Sequence, residues 1–143
     1  VTDRAAAVPH ALGDHSNLLG SANAGLGAVV RMQVEMSRGD RSRRGADGRL
    51  VAWSPIGLPF NYGSIPGTLA QDGQEVDAVL VGPRVPVGEV VKAPVAGIVG
   101  FRDAGGDDPK VVCGVPTAWD RRVIVVFFTV YATVKTLLGD RSR

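Results

Sequence analysis

Glycine and proline break this chain at short intervals along most of its length. Nineteen glycines and nine prolines stand among 143 residues. Glycine weakens a helix interior and proline ends one, whereas both serve tight turns. A helical bundle is thereby disfavoured, and short strands joined by tight loops are expected. Apolar residues make up 45% of the chain, enough to bury a core within one domain of this length.

The alternation of side chains supports that expectation. Residues 29–36 place Val30, Met32 and Val34 on one face and Arg31, Gln33 and Glu35 on the other, as a half-buried strand does. Further strands are expected at 50–53, 76–81, 90–93, 95–101 and 110–115. The prolines and glycines of 55–66 read as a loop, 37–45 as a basic turn and 103–109 as a turn between strands. Residues 1–28, rich in Ala, Gly, Ser and Asn, read as a flexible arm, and 29–143 as the folded domain. About six short strands before one longer apolar segment suggest a small β-barrel with a packed helix.

Composition also excludes function classes. Cys113 is the single cysteine, so no intrachain disulfide forms, and a reducing, cytoplasmic compartment fits. One Cys with His10 and His15 is too little for a zinc cage. The longest apolar run, 123–134, holds 12 residues, where a membrane-crossing helix needs about 20. The net charge of +2 is too small to demand a nucleic-acid partner. Neither a membrane nor a nucleic acid is therefore expected as a partner. Thirteen arginines against three lysines leave the cluster at 38–49 open to two readings, a solvated loop or an anion site.

Seven of the 14 acidic residues fall between Asp72 and Asp108. Crowded carboxylates repel, and a fold that concentrates them usually supplies cations. Oxygen ligands without His or Cys point to Mg²⁺, Mn²⁺ or Ca²⁺. An EF-hand is excluded, because Asp77 stands at position 6, where that loop needs glycine.

Four stretches carry a resemblance to a known family. They are Phe60-Asn61-Tyr62-Gly63 with Thr68-Leu69, Asp72-Gly73-Gln74-Glu75-Val76-Asp77, Asp103 through Asp108 to Lys110, and Phe127-Phe128-Thr129-Val130-Tyr131. In this order and spacing they resemble the family I soluble inorganic pyrophosphatases. The resemblance implies a mainly β (α+β) fold: a small five-stranded OB-like closed barrel with one or two packed helices. It also favours a helix at 123–134, where β-branched and aromatic composition alone would suggest a strand.

The resemblance further implies Mg²⁺-dependent hydrolysis of pyrophosphate to two phosphates by a metal-activated water, with Mn²⁺ as a possible substitute. Asp72, Asp77 and Asp108 would hold activating metals, Asp103 with Asp108 a metal arriving with substrate, and Glu35 would act in the outer metal shell. Lys110, Tyr62, Tyr131 and Arg43 would contact phosphate, Arg43 standing where the family usually has a lysine. A homo-oligomer, hexamer or dimer, is implied by analogy. Gln74 departs from the pattern: it stands at the family's middle Asp, which orients or deprotonates the attacking water. A Gln amide accepts a hydrogen bond but takes no proton at neutral pH. Slower chemistry is therefore expected, or a metal- and phosphate-binding subunit without useful turnover.

Overall fold

The computed structural model describes residues 8–10, 26–68, 73, 75–100, 102–103, 106–107 and 109–141. The strands are β1 (Val8–His10), β2 (Val29–Met36), β3 (Ser42–Arg44), β4 (Leu50–Trp53), β5 (Asn61–Ile65), β6 (Val76–Leu80), β7 (Val90–Gly100), β8 (Arg102–Asp103), β9 (Gly106–Asp107) and β10 (Lys110–Cys113). Helix α1 (Ala118–Arg141) follows. Most of the arm expected at 1–28 lies outside the described residues; of its described parts, β1 pairs antiparallel with the end of β7 and residues 27–28 bond to Val95, so neither is a free arm.

Five strands close on themselves in the order β2–β5–β6–β10–β7, and β7 returns to pair with β2. Every pairing is antiparallel except that of β10 with β6. This is the closed five-stranded barrel expected from the sequence. Met32, Val76, Ala78, Leu80, Ile98, Val111 and Cys113 fill its interior. Side chains alternate along a strand, so Val79 and Val112 point outward. There they join Phe60, Ile124, Phe128 and Ala132 in a second core beneath α1. The barrel thus has an apolar core on both sides of its wall where the helix lies.

Three assignments need correction. The reading of 55–66 as a loop misses β5. Both of its faces are buried, one in the barrel and one under the helix region, so the polar–apolar alternation of a half-exposed strand is absent. The separate strands at 90–93 and 95–101 are one strand, β7, running through Pro94. Up to Pro94 this strand pairs with β2, and from Val95 with β10. The missing N–H of proline falls where the partner changes. Finally, the basic turn at 37–45 contains β3, which pairs with β4 as a separate two-stranded ribbon.

Two devices set the strands near the site. Gly63 lets β5 approach β2: a Cβ there would lie 1.8 Å from the Gln33 carbonyl oxygen and 3.1 Å from the Glu35 nitrogen. A bulge then interrupts the β2–β5 register between Val34 and Met36, with Val34 opposite Gly63 and Met36 opposite Tyr62. Bulges re-aim side chains. Here Glu35 and Met36 both come to the outer wall. At the other end, α1 starts with a reciprocal cap: the Asp120 amide donates to Thr117 Oγ1, and the Thr117 amide donates to Asp120 Oδ2.

Candidate functional site

A cleft of about 270 Å³ opens between the barrel wall, the β3–β4 ribbon and α1. Glu35, Arg43, Tyr62, Asp77, Lys110 and Tyr131 line it, one each from β2, β3, β5, β6, β10 and α1. All six are residues singled out from the sequence. Strand register explains how they meet. Ser64 stands opposite Asp77 across β5 and β6, and Val111 pairs with Ala78 across β10 and β6, which brings Lys110 beside Asp77. A polar row therefore crosses four strands on the outer wall: Glu35, Ser64, Asp77, Lys110.

Hydrogen bonds join each end of this row. Lys110 Nζ donates to Asp77 Oδ2 at 2.7 Å. The lysine is 3% exposed, while the Asp77 side chain keeps 35% of its surface. Lys110 Nζ also lies 5.6 Å from the centre of the Tyr62 ring, within the range of a cation–π contact. At the other end of the row, Ser64 Oγ donates to Glu35 Oε2 at 2.6 Å, and Glu35 Oε1 pairs with Arg43. The cleft wall thus carries two ion pairs, Arg43 with Glu35 and Lys110 with Asp77, their carboxylates lying on either side of Ser64.

Burial pushes the Tyr62 phenol well above the ordinary tyrosine value; Lys110 acts against this shift and Asp77 with it. Tyr62 is therefore a neutral proton donor at physiological pH. Its ring packs 6.5 Å from that of Phe128. Tyr131 stacks on Phe127 at 6.2 Å and meets Phe128 edge-on at 6.4 Å. Both tyrosines belong to the aromatic layer that seats α1, so the packing that fixes the helix also fixes their positions.

Asp72, Gln74 and Asp108 lie outside the described residues. Asp103 is described as a backbone position only, in β8, which pairs with β9 at the turn expected for 103–109. Glu75, next to Gln74, is occupied elsewhere: it accepts from the Gly67 amide at 3.4 Å and stands 3.2 Å from Ser64 Oγ, and it does not line the cleft. Among the described residues no three acidic, His or Cys side chains form a group able to hold a metal ion. The donors that the cleft does offer, Glu35 and Asp77, are hard carboxylate oxygens without an accompanying thiolate or imidazole. That chemistry fits an oxygen-preferring divalent cation.

Sequence reading missed three contributors. Ser64 lies two residues beyond Tyr62 on the same face of β5, and assigning that strand would have found it. Trp53 lines the cleft while 54% exposed; its ribbon was read only as a strand beside a basic turn. Asn61, fully buried, is structural. It accepts from the Arg38 and Val85 amides and donates to the Leu80 and Pro83 carbonyls, tying β5 to the loop after β6.

Comparison with known proteins agrees with the barrel fold and gives the family. The family described as inorganic pyrophosphatase matches residues 32–135. The inorganic pyrophosphatase of Gluconobacter oxydans is 34% identical over 92 residues, covering 59% of this chain and 53% of the relative. That of Aeropyrum pernix is 50% identical over 62 residues, covering 42% and 34%. The chain thus spans about half the length, or less, of these curated relatives. Among solved structures, the inorganic pyrophosphatase of Coxiella burnetii superposes with a TM-score of 0.54 at 28% identity, covering 66% of this chain and 61% of that one. For the Thermus thermophilus enzyme the values are 0.53 and 29%, covering 80% and 63%. With the family match extending over most of its length and the cleft assembled on the expected barrel, the chain belongs to the inorganic pyrophosphatase family.

Proposed function

We propose that this chain binds inorganic pyrophosphate in the cleft between barrel and helix and hydrolyses it to two phosphates with Mg²⁺, for which Mn²⁺ can substitute. The observation that carries this reading is the convergence of Glu35, Arg43, Tyr62, Asp77, Lys110 and Tyr131, from six separate elements, on one cleft. Lys110 and Arg43 hold phosphate oxygens by charge-assisted hydrogen bonds. Tyr62 and Tyr131 donate from their hydroxyls, and burial keeps the Tyr62 proton in place. The aromatic layer under α1 excludes water from that side, which strengthens each of these contacts.

Asp77 would hold the activating cation together with Asp72 and Asp108. Asp103 and Asp108 would hold one that enters with substrate, and Glu35 would act in the outer shell. When bound, the cation supplies charge neutralisation and an acidified water. Gln74 would be able to hydrogen-bond such a water but not to accept its proton, so slower turnover than with a carboxylate at this position is expected. The barrel domain is 29–143, with β1 added along the end of β7, and it acts in the cytoplasm as a homo-oligomer.

Phosphate release from pyrophosphate with Mg²⁺, for the natural protein and for Gln74→Asp, tests the reading. Measurable release is expected from the natural protein, rising by about 100-fold or more in the variant. If neither protein releases phosphate, the hydrolase reading fails. Calorimetry of Mg²⁺ and phosphate binding then decides whether a binding subunit takes its place.

A further inference from the structure

We infer that Ser64 is a positioning residue for Arg43, acting through Glu35. The inference rests on the functional reading in that Arg43 is taken as a phosphate ligand. Arg43 sits on the β3–β4 ribbon, a sheet separate from the barrel, so no barrel ladder fixes its backbone. Its guanidinium is tied to the barrel by the carboxylate of Glu35. Glu35 stands at a bulge, where the ladder holds a residue less firmly. Its own side chain is gripped at both oxygens, Oε1 by Arg43 and Oε2 by Ser64.

Ser64 is 5% exposed and has one proton to give. Two carboxylates approach it, Glu35 at 2.6 Å and Glu75 at 3.2 Å. The shorter distance assigns the proton to Glu35. Glu75 is anchored at its other oxygen by the Gly67 amide, leaving a second negative charge behind the serine. The hydroxyl therefore both holds Glu35 and separates it from a like charge. Ser64→Ala removes the donor and leaves two carboxylates facing each other with no proton between them. Glu35 then swings away, and Arg43 loses the partner that points it into the cleft.

Two measurements test this. The first needs no substrate: the Arg43 Nε–H signal and its heteronuclear NOE in the natural protein and in Ser64→Ala. An ordered signal is expected in the natural protein, dropping toward the flexible range in Ser64→Ala and restored in Ser64→Thr, which keeps the hydroxyl. An unchanged NOE in Ser64→Ala overturns the inference. The second is a cycle of Ser64→Ala and Arg43→Met read as KM and kcat for pyrophosphate. Ser64→Ala is expected to raise KM about tenfold with kcat within about twofold, and to add nothing once Arg43 is Met. Additive effects, or a fall in kcat at constant KM, overturn it. Failure of the natural protein to turn over pyrophosphate counts against the functional reading alone, since the Arg43 signal is recorded without substrate.

Discussion

Lys110 and Asp77 stand side by side on the parallel strands β10 and β6, with Nζ 2.7 Å from Oδ2. The ammonium comes from the buried side of the pair and the carboxylate from the open side. A cation placed in this way is already desolvated before a phosphate arrives. Part of the cost of stripping its water is met by folding, and an incoming anion meets a fixed donor.

Lys110→Met keeps most of the buried stem but removes the charge. Since Asp77 keeps access to water, stability is expected to fall by only about 1–3 kcal/mol. Pyrophosphate kcat/KM is expected to fall by at least about 100-fold. Chemical denaturation and steady-state kinetics on the same preparation check both halves.

Tyr62 gives a pH signature. Its folded-state value is raised, first by burial, so the folded protein keeps a proton that the unfolded chain releases above about pH 10. The stabilisation is complete below about pH 10 and declines as pH rises toward the folded value. Urea midpoints at about pH 8 and about pH 11 are expected to fall further in the natural protein than in Tyr62→Phe. Equal falls would place the phenol in an ordinary environment.

Cys113 is fully buried in the barrel interior, and burial pushes its thiol up to about 12. The thiolate is the reactive form. Aromatic disulfide reagents at about pH 8 are expected to leave the native protein unlabelled and to react at once when it is unfolded in denaturant. Stoichiometric labelling of the native protein would contradict the burial.

Gly63→Ala places a methyl group into the Gln33 carbonyl, 1.8 Å from its oxygen. Backbone cannot give way as a side chain does, so β5 and β2 must separate. A loss of about 3 kcal/mol or more is expected, with weakened Mg²⁺ and phosphate binding because Glu35 lies on the displaced segment. A denaturation midpoint within experimental error of the natural protein would refute this.

The charged residues and tyrosines of the cleft were legible in the sequence, for a physical reason. Asp77, Lys110, Tyr62 and Tyr131 are chemically conspicuous in fixed local spacings, and spacing survives in one dimension. Strands with one wet face, such as β2, were legible from alternation. β5 was not, because the helix region hides its outer face. Ser64 shared that fate: a small residue gives no periodic signal, and its importance comes from which carboxylates the strand register brings to it.

By itself, then, the sequence determined a turn-rich barrel with a single cysteine and the roster of charged and aromatic groups available to the cleft. These depend on residue type and short-range spacing. Tertiary structure alone decided that Met36 joins Glu35 on the outer wall at a bulge, that Gly63 admits β5 against β2, and that Lys110 meets Asp77 while Ser64 holds Glu35. Each of these is a contact between residues far apart in the chain, set by strand register and by close packing on both sides of one barrel wall, and no local pattern encodes it.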